Sequence, residues 1–107
     1  MKAYLVQWAV GGDDEAERLA AALLEEGLAA CVQLSPIRSR YVWKGAVEAA
    51  DEVMLSIKTR ADLFETVRIR IRQLHSYETP EILAIPAEAV DADYLAWLEA
   101  ATTASSA

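Results

Sequence analysis

Cysteine is almost missing from this sequence. The single thiol, Cys31, rules out any internal disulfide framework and suits a reducing compartment. Histidine is equally scarce, with only His75. No apolar run approaches the ~18 residues needed to span a bilayer as a helix. The opening run Met-Lys-Ala-Tyr-Leu-Val-Gln-Trp-Ala-Val is cut short by Gly11-Gly12-Asp13, too soon for a secretory h-region. The cytoplasm is therefore the expected compartment, with no membrane span expected. Positive charge is also short: 10 Lys and Arg against 17 Asp and Glu give a net charge of −7. That balance argues against nucleic-acid binding, which needs a basic footprint, and favours solubility or cationic partners. The motifs of common enzymes are missing too: no Gly-rich phosphate loop, no Gly-x-Ser-x-Gly, no His-Glu-x-x-His, no CxxC. A non-enzyme is expected.

What is present is apolar sequence with clear periodicity. Hydrophobic residues make up 54% of 107, enough for the core of one domain. The expected domain is 1–102, with 103–107 a frayed tail because Thr-Ala-Ser-Ser-Ala has nothing to bury. Residues 3–10 are apolar on both faces, as in a central strand. Asp13 is placed as the N-cap of a helix whose face is Ala16, Leu19, Ala20, Leu23 and Leu24, and Gly27 as its C′ stop.

From Gly27 to Thr59 the pattern changes to period two. Leu28, Ala30, Val32 and Leu34 alternate with Ala29, Cys31, Gln33 and Ser35. Ser39, Tyr41 and Trp43 then share a face, and Val53, Leu55 and Ile57 share one on the return. Lys44-Gly45 between the two runs predicts a hairpin with a two-residue link. That link sets Cys31 opposite Lys58 and Tyr41 opposite Glu48. Each arm reaches about 15 residues, roughly 50 Å, far beyond the usual strand. Pro36 is expected to mark a bulge or bend. The tip, with Tyr41, Val42 and Trp43, should project and be covered by another subunit, the other choice being that it folds back on its own domain.

Thr59-Arg60-Ala61-Asp62 fits a capping box opening a second helix, with Leu63, Val67, Ile71 and Leu74 as its stripe. Arg68, Arg70 and Arg72 spread round that helix, solvated or paired with nearby Glu65. A fourth strand is expected at 81–85, ended by Pro86, and a last helix capped by Asp91 with Tyr94, Trp97, Leu98 and Ala101 on one face. The order βαββαβ plus a C-terminal helix is the α+β, ferredoxin-like split βαβ arrangement: an antiparallel sheet with both main helices on one face and a long β-hairpin projecting.

Several segments together resemble the CutA divalent-cation-tolerance family. They are Leu28-Ala29-Ala30-Cys31-Val32; Pro36-x-x-Ser39-x-Tyr41-x-Trp43-x-Gly45 with Glu48; residues 52–59; His75-x-Tyr77-Glu78-x-Pro80-Glu81-Ile82; and Tyr94-Leu95-x-Trp97. The chain departs from that pattern at Gln33, where Asn is usual, and at Ser76, where Pro is usual. The resemblance implies a cytoplasmic homotrimer of ferredoxin-like protomers, similar in architecture to PII signalling proteins and tied to tolerance of copper and other divalent metals.

Copper(II) or zinc accepts thiolate and imidazole, so Cys31 and His75 are candidate ligands. Each has a plainer role as well: Cys31 as a small buried strand residue, His75 as a cation near a helix C-terminus. Carboxylates at Glu48, Asp51, Glu52, Glu78 and Glu81 could complete a site, with Glu48 the third candidate ligand. Tyr41, Trp43, Lys58, Tyr77 and Glu78 are assigned to an intersubunit cleft or interface. The alternative function is a PII-like signalling or scaffold module that binds a small ligand or protein partner in that cleft.

Overall fold

The computed structural model describes residues 1–76 and 78–102. The elements are β1 (Ala3–Val10), α1 (Asp13–Glu25), β2 (Cys31–Trp43), β3 (Ala46–Arg60), a 3-10 turn (Ala61–Leu63), α2 (Phe64–Leu74), β4 (Leu83–Ala87) and α3 (Ala92–Ala101). The four strands form one antiparallel sheet in the order β2-β3-β1-β4. This is the ferredoxin-like α+β arrangement expected from the element order.

Register explains the two faces. Strand neighbours alternate sides, and directly paired residues share one. Val6 pairs with Ile57, Trp8 with Leu55 and Val10 with Val53. All six are buried, and they pack with Ala16, Leu19 and Leu23 of α1 and Val67 and Ile71 of α2. The opposite face carries Leu5, Cys31, Lys58 and Ile85 in one paired row. α3 lies on that side: the Lys58 Nζ sits 5.6 Å above the Tyr94 ring, and Arg60 Nη1 donates to the Thr102 carbonyl at 3.1 Å.

The end of α1 follows from Gly27. Its φ of 70° is open to glycine at little cost. The Gly27 N–H donates to the Leu24 carbonyl and the Leu28 N–H to the Leu23 carbonyl, which together make a Schellman motif. Lys44 (φ 51°) and Gly45 (φ 83°) form a turn with positive φ at both central positions, whose twist matches the flanking strands.

Five local expectations are corrected. The N-cap of α1 is Gly12, and Asp13 is the first helical residue, supplying charge to the dipole rather than a cap bond. Leu24 is exposed, beyond the edge of the buried face. Pro36 makes no bulge: it pairs in unbroken register with Val53, which an edge strand permits because one row of its N–H groups faces outward. β4 likewise runs through Pro86, paired with Tyr4, because it is the other edge. Thr59 caps no helix. β3 continues to Arg60, pairing with Ala3, and the fully buried Thr59 hydroxyl donates to the Leu28 carbonyl at 2.6 Å. Asp91 does cap α3, accepting from the Asp93 and Tyr94 N–H groups. The tail 103–107 lies outside the described residues.

Candidate functional site

β1 ends at Val10, opposite Val53. Beyond that pair β3 touches only β2, so residues 37–52 leave the sheet as a two-stranded ribbon. The exposed side chains on it include Val42 at 73% and Val47 at 75%, with Tyr41 at 44% and Trp43 at 38%. The molecule measures 44 × 27 × 21 Å, and its radius of gyration of 14.3 Å exceeds the ~13 Å of a compact chain this long. The ribbon projects, as its length required.

An open groove of about 800 Å³ lies at its root. It is lined by Arg38, Ser39, Arg40, Tyr41 and Trp43 of β2, Ala9 of β1, Glu52 of β3 and residues 78–81 of the loop that leads into β4. Arg38 and Arg40 share one side of the ribbon, and Tyr41 and Trp43 share the other. Two-stranded ribbons twist more than broad sheets, and both sets reach the same groove. Although exposed at the rim, the Glu81 carboxyl is partly desolvated, which raises it above its ordinary range, and the neighbouring Glu52 charge adds to this.

The proposed ligands do not meet in one chain. Cys31 pairs with Lys58 on the α3 side of the sheet. His75 lies on the helix side, where its Nδ1 accepts from the Trp8 Nε1 at 2.6 Å. Glu48 pairs with Tyr41, ten strand residues or roughly 33 Å from Cys31. Among the described residues no three His, Cys, Asp or Glu side chains gather as a metal cluster. Cys31 is half-buried. The reading of His75 as a helix-terminal cation is corrected: burial lowers its basicity, and Nδ1 as an acceptor requires the neutral ring.

Of the cleft residues, Tyr41, Trp43 and Glu78 line the groove, and Lys58 lies elsewhere, over Tyr94. Tyr77 lies outside the described residues. Arg38 and Arg40 were not singled out from sequence. Their i, i+2 spacing within a strand was the available signal, since it puts two guanidinium groups on one side. Arg68 and Arg70 are paired as expected in kind: Arg68 meets Glu65, and Arg70 reaches across to Glu26 of α1 at 2.8 Å.

Comparisons with known proteins agree with this architecture. The family model described as CutA1 divalent ion tolerance protein matches residues 4–101. A divalent-cation tolerance protein CutA from Archaeoglobus fulgidus is 46% identical over 86 residues, covering 80% of this chain and 84% of the relative. A solved structure from Archaeoglobus fulgidus, described as a periplasmic divalent cation tolerance protein CutA, superposes with a TM-score of 0.92 at 40% identity, covering 94% of this chain and 99% of that one. CutA1 from Oryza sativa gives 0.93 at 35% identity, covering 96% and 95%. With nearly its whole length matched in sequence and in the path of its backbone, the chain belongs to the CutA1 divalent ion tolerance family.

Proposed function

We propose that this protein serves tolerance to divalent cations, copper(II) among them, as a cytoplasmic homotrimer that binds the metal rather than transforming a substrate. The observation that carries the assembly is the apolar surface left open on one chain. The ribbon exposes Tyr41, Val42, Trp43 and Val47, the second sheet face exposes Leu83 and Ile85, and α3 exposes Trp97. Burying such surface gains roughly 25 cal/mol per Å², so a second copy is a favourable cover. Because Cys31, His75 and Glu48 stand apart in one chain, a cation held by them draws ligands from more than one subunit. The test is a calorimetric titration of copper(II) into metal-free protein, with mass measured by light scattering on the same sample. The expected result is saturable binding at an integral number per trimer, weakened by His75→Ala. A flat titration on a confirmed trimer ends the metal-binding reading.

The groove supports a second reading, a PII-like module that binds a small ligand in an intersubunit cleft. A volume of about 800 Å³ falls within the range of small-molecule sites. A metabolite that raises the melting temperature where metals do not would favour it.

A further inference from the structure

The one histidine of the chain is held in a way that bears on any metal it receives. Trp8, fully buried on β1, donates from Nε1 to the His75 Nδ1 at 2.6 Å, with the two ring centroids 5.7 Å apart. His75 is the first residue after α2, and the chain is tied down on both sides of its ring. The His75 N–H donates to the Ile71 carbonyl at 2.8 Å, and the Ser76 Oγ donates to Glu15 Oε2 of α1 at 3.1 Å. A neutral imidazole has one donor nitrogen and one acceptor nitrogen. Since Nδ1 accepts, the ring proton lies on Nε2, which is itself buried. Metals bind imidazole through the lone pair of one nitrogen. A cation on Nδ1 takes the lone pair that receives the indole N–H. A cation on Nε2 drives the ring proton to Nδ1, where it points at the indole N–H, donor against donor. Both routes end the same hydrogen bond.

We propose that Trp8 gates His75: a divalent cation ligates this histidine only by displacing the Trp8 indole N–H. The inference deepens the metal-binding reading above and rests on it. With no metal present, the indole keeps the ring neutral and oriented. A buried indole N–H that loses its acceptor costs free energy, which opposes ligation and sets a threshold below which His75 stays with Trp8. Cations that favour imidazole nitrogen, such as copper(II) and zinc(II), offset that cost. Magnesium(II), which favours oxygen and gives up its water reluctantly, does not.

The test is a zinc(II) titration of the full chain at pH 7.5, where the ring is neutral with or without Trp8. Zinc(II) is the probe because it is diamagnetic and leaves NMR lines sharp. The indole N–H resonance of Trp8, identified by elimination with Trp43→Phe and Trp97→Phe, should shift in step with binding measured by calorimetry. Magnesium(II) should leave it unmoved. Trp8→Phe removes the competing donor, so it should bind zinc(II) about two- to tenfold more tightly, the factor that one ordinary hydrogen bond represents. In a His75→Ala background the change at position 8 should have no effect. A melting curve verifies that Trp8→Phe folds, and if it does not, the wild-type indole resonance decides alone. Saturable zinc(II) binding with an unmoved indole, an equal shift with magnesium(II), or unchanged affinity in folded Trp8→Phe would overturn the proposal and leave the metal-binding reading standing. No zinc(II) binding by either protein would also overturn it, and the copper(II) titration would then decide the metal-binding reading by itself.

Discussion

At the scale of single residues the most informative pair is Trp8 and His75. The indole N–H donates to Nδ1, so the ring is held neutral, and burial pushes in the same direction. A histidine whose folded value lies below its unfolded one is protonated more readily in the unfolded chain. Its stability contribution is therefore complete above about pH 6.5 and lost as pH falls below that, until the folded value is passed. The lone histidine makes this readable: the ring resonances of His75 followed by NMR should titrate below the ordinary value, and Trp8→Phe should bring the midpoint back up. A midpoint at or above 6.5 in the wild type would contradict the buried, accepting ring. Thr59 is a second case. Thr59→Val keeps the shape but strands the Leu28 carbonyl in a buried site, which should cost about 1–3 kcal/mol in urea unfolding.

At the scale of elements, the glycines that close and open α1 separate two kinds of constraint. Gly27 sits at φ 70°, so Gly27→Ala should lower stability by about 1 kcal/mol through backbone strain alone. Gly12 is extended at φ −167°, with nothing within 4 Å of where a Cβ would stand, so Gly12→Ala should be nearly neutral. Parallel denaturant midpoints for the two variants check this, and equal losses would show that φ does not separate the two sites. The strand ends teach a related lesson. Both prolines within strands lie on edges, Pro36 on β2 and Pro86 on β4. Reading Pro36 as a bulge or bend and Pro86 as a strand end failed because edge position is set by the order of strands in the sheet.

At the scale of the whole molecule, the ribbon dominates. It sets the long dimension, carries most of the exposed apolar tip and lines the groove. If the proposed homotrimer is held through this tip, charging it with Val42→Asp and Trp43→Asp should reduce the particle mass measured by light scattering at micromolar concentration to that of a monomer. The core should be unaffected, since neither side chain belongs to the buried cluster, and a melting curve of the monomer verifies that. An unchanged mass would place the subunit contacts elsewhere.

Periodicity and turn chemistry were enough to read most of the fold. The helical stripe of Ala16, Leu19, Ala20 and Leu23, the positive φ at Gly27, the alternation on either side of Lys44-Gly45 and the Asp91 cap are local properties, each legible within a few residues. The hairpin register followed as well, because a two-residue link leaves only one pairing, and Cys31 does face Lys58. The site was another matter. Whether Cys31, His75 and Glu48 converge depends on which face of the sheet each occupies and how far along the ribbon it lies. The chain separates them on both counts. Arg38, Arg40, Glu52 and Glu81, up to 43 positions apart in sequence, share a groove because β1 stops at Val10 and the ribbon continues without it. Contacts of that kind come from strand order and twist, which act across the whole sheet and leave no mark in any short stretch of sequence.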